Sequence, residues 1–280
     1  MLKGRGRPLL VNEQPSFDAP DSQLVSEAQF HSPRFEFWRR AFRMAPGLNR
    51  KLWEYLYIVN ALDHYLGLGQ GVRVLGFGVG HEQIPAVLAA NGCAVTATDY
   101  GDDEWAARST DDIALRPSDD DMDPALGSLE LGDADGIRRR IEFRDVDMNR
   151  IPKDLRGYDG LWSCGSLEHI GGLKSGLDFI ERSLDCLRPG GIAVHTTEFN
   201  LSSDDATLET AGMSFYRRSD ILSLAGRLSS DGHGIVLNLT RGAGPIDNHV
   251  DTPPHDYSLT INALVAGYLI TSIGLIIQKA

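Results

Sequence analysis

The sequence predicts an α/β fold built on a mainly parallel sheet, and three stretches carry that expectation. The first is Val72-Arg73-Val74-Leu75, a β-branched run that enters Gly76-Phe77-Gly78-Val79-Gly80-His81-Glu82; an amphipathic helix (Ile84, Val87, Leu88) then stops at Asn91-Gly92 and is followed by Val95-Thr96-Ala97-Thr98-Asp99. The second is the apolar run Tyr158 to Cys164 and the helical stripe of Leu173, Leu177, Ile180, Leu184 and Leu187 behind it. The third is the turn Leu187-Arg188-Pro189-Gly190-Gly191, which leads into a strand over Ile192 to Thr197. Strands alternating with helices imply crossover units and parallel pairing.

The glycine-rich turn has a physical use. Glycines between a strand and a helix let backbone N–H groups approach a ligand with no Cβ in the way, and the helix start adds partial positive charge. A carboxylate ending the next strand, here Asp99, can accept both hydroxyls of a ribose. The dinucleotide pattern G-x-G-x-x-G is not completed, because His81 or Gln83 stands where the third small residue belongs.

In chain order, residues 1–33 carry four prolines and many polar groups and read as a flexible arm. Residues 34–69 read as a helical extension: Phe35 to Met44 is aromatic and basic, and Leu52, Tyr55, Leu56, Val59, Leu62 and Leu66 recur at helical spacing. Trp53 and Tyr55 fit either core packing or a cover over a crevice. Residues 70–280 form the main domain. Within it, the acidic stretch 101–137, with Asp102-Asp103-Glu104 and Asp119-Asp120-Asp121, lacks cation-loop spacing and reads as a solvated insertion in which Trp105 could act as a lid. Ile141 to Met148 is a strand running into a loop. Arg218-Ser219-Asp220 caps a helix over Ile221 to Leu228, Gly234 to Leu239 is a strand, and Thr271 to Ile277 is the last buried strand. A loop from Thr240 to Tyr257 precedes it.

Composition narrows the function. The 280 residues carry a net charge of −12, which argues against a nucleic-acid partner, since phosphate binding draws on a basic surface. Cys93, Cys164 and Cys186 have no C-x-x-C spacing and read as buried thiols of a reducing, cytoplasmic environment. No signal peptide or transmembrane segment is expected.

The run Val74-Leu75-Gly76-Phe77-Gly78-Val79-Gly80-His81-Glu82 resembles the first motif of the class I S-adenosylmethionine-dependent methyltransferases, V-L-D-x-G-x-G-x-G. Two positions depart: Gly76 stands for the acid and Glu82 for the third glycine. The resemblance implies a Rossmann-like seven-stranded mixed sheet with one antiparallel strand and helices on both faces. It implies S-adenosyl-L-methionine as cofactor, held by Gly76, Phe77, Gly78, Gly80 and Asp99, with Asp147 at the adenine amino group, Met148 flanking the ring, and Cys164 beside the sulfonium. Asp145 competes with Asp147 for the adenine role. Similarity of Lys51 to Tyr55, the glycine turn, Thr98-Asp99 and the Pro253-Pro254 loop to bacterial glycan-associated O-methyltransferases implies a sugar or glycan hydroxyl as acceptor.

Methyl transfer to an alcohol needs a base near the ends of the strands, where open α/β sheets bind ligands. His169 is the expected general base, or else a loop anchor. Glu198 would orient the acceptor, and His249, with Asp251, lies in the loop where this fold builds acceptor pockets. His195, in mid-strand, reads as a core histidine. If His169, Glu198 and His249 converge, they could hold a divalent cation such as Mg. An NAD(P)-dependent oxidoreductase and a non-catalytic binding protein of the same fold stay open as alternatives, and a small-molecule acceptor or a homodimer is compatible with all of this.

Overall fold

The computed structural model describes residues 8–101, 134–255 and 259–280. Asp102 to Glu104, Trp105, Asp119 to Asp121 and Tyr257 lie outside the described residues. A parallel sheet runs β6 (Ile141–Asp145), β5 (Ala94–Asp99), β4 (Arg73–Phe77), β7 (Tyr158–Cys164), β8 (Leu187–Asn200), and β12 (Tyr268–Gln278) follows antiparallel to β8. Next comes β9 (Gly234–Asn238), antiparallel to β12. These seven strands are the expected set with β12 as the reversed one.

The sheet is nevertheless ten-stranded, not seven-stranded. The additions are β1 (Leu9–Val11) on β9, β2 (Ser22–Leu24) between β9 and β12, and β11 (Ala263–Val265) on β12. A further short pair joins β3 (Leu48–Asn49) to β10 (Leu259–Thr260).

The first two additions correct the reading of residues 1–33 as a flexible arm, at least from residue 8. Phe17, Leu24, Val25 and Phe30 are buried, and three backbone carbonyls of the segment are taken by one helix, α3 (Arg50–Leu66). Asn60 Nδ2 donates to the Phe17 carbonyl at 2.6 Å, Tyr65 Oη to Pro20 at 2.8 Å and Tyr57 Oη to Asp21 at 2.6 Å. Such side-chain bonds satisfy an irregular backbone that would otherwise be costly to bury. No local periodicity announces them. The expected insertion 101–137 likewise ends on a short packed helix, α5 (Ala134–Arg138), with Ile137 in the core.

Side chains alternate across the sheet, so each face carries its own core. Val74, Trp162, Val194 and Ile276 face α3, α2 (Pro33–Ala41) and α4 (Ile84–Ala90). Leu75, Phe77, Leu161, Ala193 and Leu275 face α6 (Leu173–Ser183) and α7 (Arg218–Ser230). Trp53 is fully buried and stacks on Tyr57 at 4.5 Å between ring centroids, so it is core and no cover; Tyr55 keeps partial exposure. Tyr57 in turn demands Gly274 on β12, where a Cβ would overlap its ring.

Strand order reverses at β4, whose neighbours are β5 on one side and β7 on the other. The crevice beyond their C-terminal ends is therefore the place for a ligand.

Candidate functional site

The turn after β4 uses its glycines for two different reasons. Gly78 (φ +61°) and Gly80 (φ +46°) sit in the left-handed region that side chains with a Cβ avoid. At Gly78 a Cβ would also lie 2.7 Å from Ser166 Cβ and 3.4 Å from Met148 Sδ, so the turn closes on the loops after β6 and β7. At Gly80 the space is open, with only Asp99 Oδ2 at 4.0 Å. The Gly80 N–H donates to Asp99 Oδ2 at 2.7 Å and Tyr100 N–H to Oδ1 at 2.7 Å. Burial raises the Asp99 carboxyl above its ordinary range, although the two N–H groups oppose this. Each oxygen keeps a second lone pair for an incoming hydroxyl.

The two departures from the motif prove to be one arrangement. A Cβ at Gly76 would overlap Trp162 Cζ2 and lie 2.6 Å from Val79 Cγ1, so an acid there is sterically excluded. The indole that fills this space donates from Nε1 to Glu82 Oε1 at 2.5 Å. Glu82 is buried, and burial pushes its carboxyl well above the usual range. Gly76 thus serves to admit Trp162, and Phe77 points to the opposite face against Phe179 at 5.2 Å. Among the predicted cofactor residues, Gly78, Gly80, Asp99 and Met148 gather at the crevice. Asp147, on the same loop as Met148, receives the Asn149 N–H at 2.7 Å, and Asp145 abuts Gly101.

Cys164 belongs to a different neighbourhood. Its Sγ lies 3.7 Å from Glu54 Oε2 and 3.6 Å from Thr196 Oγ1, and burial raises its thiol well above the ordinary value. Here α3 lowers Arg50, Lys51 and Glu54 onto the ends of β7 and β8. Arg50 Nη1 reaches Glu198 Oε1 and Oε2 at 2.6 and 2.7 Å, and Lys51 Nζ lies 3.2 Å from Glu54 Oε1 and 3.3 Å from Glu198 Oε1. Burial disfavours the Glu198 charge, but Arg50 and Lys51 outweigh it and hold the carboxyl below its usual range. Glu198 is thus committed to a cation of its own chain. Glu168, also buried, accepts Thr197 Oγ1 at 2.9 Å, and desolvation raises it. Glu198 and Cys164 were expected site residues, but Arg50, Glu54 and Glu168 escaped the sequence reading; the available signal was Arg50 and Glu54, an i,i+4 pair on a helix whose neighbours Trp53 and Leu56 are core.

His169 follows β7 and bonds through Nδ1 to the Gly212 carbonyl at 2.7 Å. A carbonyl only accepts, so Nδ1 carries a proton, and in the neutral imidazole Nε2 is the nitrogen with the lone pair. His195 is buried with Nδ1 at 2.8 Å from Ser163 Oγ, and burial lowers its pKa to about 3. His249 is exposed on the loop before β10, and Asn262 Nδ2 donates to its carbonyl at 3.1 Å. Its neighbour Asp251 bonds Thr260 Oγ1 at 3.1 Å. The condition for a divalent cation, convergence of His169, Glu198 and His249, is not met: among the described residues no three His, Cys, Asp or Glu side chains form a cation site. Nor is any described helix long and apolar enough to cross a membrane. A separate small pocket, lined by Leu24, Arg241, Asp247 and Asn262 among others, touches none of the crevice residues.

No family model matches the chain, and no curated protein does. Solved structures do align. The cyclase SpnF matches at 18% identity and TM-score 0.41, over 65% of this chain and 58% of its own. A phosphoethanolamine N-methyltransferase from Haemonchus contortus matches at 17% identity and TM-score 0.40, over 60% of this chain and 35% of its own. A protein from Galdieria sulphuraria assigned as a sarcosine dimethylglycine methyltransferase matches at 12% identity and TM-score 0.49, over 89% and 99%. This chain therefore spans little more than half of SpnF and about a third of the Haemonchus enzyme. Such likenesses assign no chemistry, and the functional reading rests on the crevice.

Proposed function

We propose that this chain is an S-adenosylmethionine-dependent O-methyltransferase with a sugar or other small-molecule hydroxyl as acceptor. The observation that carries the reading is the open space over Gly80 beside Asp99, with Met148 closing over Gly78 at the strand-order reversal. These groups suit an adenosine: Asp99 for the ribose diol, Met148 for a purine face, and Asp147 for an exocyclic amine. Bound there, S-adenosylmethionine supplies an electrophilic methyl group on a sulfonium. The protein's own task is then alignment and proton removal. His169 Nε2 takes the hydroxyl proton, while its Nδ1–H bond to Gly212 holds the ring. One feature favours a second reading, a binding protein without turnover: Glu198, at the rim where an acceptor would lie, is already paired with Arg50.

The experiment is a labelled-methyl transfer screen over sugars and oligosaccharides, together with calorimetric binding of S-adenosylhomocysteine. Binding with transfer is the expected result. Binding without transfer across the panel supports the second reading, and absence of binding defeats both.

A further inference from the structure

We propose that Gly165 floors a seat for a primary ammonium group of a ligand, walled by Glu54, Glu168 and Glu198 and filled in this structure by the protein's own Lys51. Gly165 follows β7 with φ +54°, and a Cβ there would lie 2.8 Å from Lys51 Nζ, 3.4 Å from Glu54 Oε2 and 3.5 Å from Glu168 Oε1. Glu168 is 1% exposed, and its Oε1 has no hydrogen-bond partner among the described residues, while Oε2 is occupied by Thr197. A buried carboxylate oxygen left without a donor is expensive unless something arrives to bond it.

The charges count the same way. Three carboxyl groups, Glu54, Glu168 and Glu198, face the cations Arg50 and Lys51, with the His169 ring beside Glu168. Arg50 is fixed, 11% exposed and held by both oxygens of Glu198. Lys51 is the removable one: its side chain is 48% exposed and its ion pairs are longer, at 3.2 and 3.3 Å. Its four-carbon stem can swing the ammonium into water at little cost. What remains is a hole with excess negative charge, shaped for a compact group with three N–H donors. Ser166, the next residue, touches Gly78, so the seat adjoins the proposed cofactor crevice.

Two molecules could bring that ammonium: an amine-bearing small molecule such as an amino sugar, or the amino-acid end of the cofactor. Only the second source rests on the function proposed above. Calorimetry on the full chain with two matched pairs separates them: glucosamine against glucose, and S-adenosylhomocysteine against 5′-methylthioadenosine, which lacks the amino-acid end. The expected result is a preference of about tenfold for the ammonium-bearing member of at least one pair. Glu168→Gln, which preserves shape and the Thr197 bond, should abolish that preference, and Lys51→Met should enlarge it by vacating the seat. Discrimination in neither pair, a preference that survives Glu168→Gln, or one that Lys51→Met leaves unchanged overturns the proposal. If neither adenosine compound binds, the methyltransferase reading fails and the glucosamine pair alone decides the seat.

Discussion

Substituting Gly76 tests the coupling between the glycine turn and Trp162. In Gly76→Ala the new methyl would overlap the Trp162 ring and lie 2.6 Å from Val79 Cγ1, well inside ordinary contact. Trp162 is fully buried and Val79 nearly so, and Trp162 is further tied to Glu82, so neither can step aside cheaply. Overpacking of this kind costs about 1–3 kcal/mol, and the rigid surroundings place this site near the upper figure. Trp162→Leu removes the obstructing ring; it should itself cost somewhat less than the about 3–5 kcal/mol of truncation to alanine, part of it from the orphaned Glu82. In the double variant the alanine methyl enters space that the indole has left. Its added cost should therefore fall by about 1–2 kcal/mol relative to the single variant. Equilibrium urea unfolding of the four proteins, compared at constant slope, reads the coupling directly. Additivity within about 0.5 kcal/mol would show that Gly76 is not there for Trp162, and the account of the missing acid would fail.

Four further outcomes are expected. Asp99→Ala should weaken S-adenosylhomocysteine binding by about tenfold or more in calorimetry, because it removes the ribose acceptor; unchanged affinity would unseat that role. His169→Ala should keep that affinity while turnover on a responsive acceptor drops by about 10²–10⁴, and full activity would leave the residue only a loop anchor. Arg50→Met should destabilise the fold by about 3 kcal/mol, the low end for breaking a buried pair because Lys51 still faces Glu198, and Arg50→Met/Glu198→Leu should unfold at a temperature nearer to wild type than the single variant does. His195 gives a pH signature. Its folded pKa of about 3 lies below its ordinary value, so at intermediate pH the unfolded chain binds the extra proton. Stability contributed by keeping it neutral is therefore full at high pH and falls as the pH drops below about 6.5, by about 1.4 kcal/mol per unit until about pH 3. His195→Asn should flatten this part of the urea-derived stability profile, and an unchanged slope would contradict the assignment.

Local chemistry made much of this molecule readable in its sequence. The seven strands β4 to β9 and β12, and helices α4, α6 and α7 between them, follow from apolar periodicity and glycine punctuation, which depend on near neighbours. The glycine turn and Asp99 were legible for the same reason: a strand, a turn and a strand fix their own geometry. The packing of residues 8–33 was not, because Ser22-Gln23-Leu24 has no period and its backbone is satisfied by Tyr57, Asn60 and Tyr65 from another element. Likewise Gly76 and Glu82 look like two unrelated departures until Trp162, 80 positions beyond Glu82, joins them. The ion cluster of Arg50, Lys51, Glu54, Glu168 and Glu198 draws on α3, the loop after β7 and β8. Which charges meet, and which carboxylate oxygen is left without a donor, depends on how layers distant in the chain are brought together, and that was decided only in three dimensions.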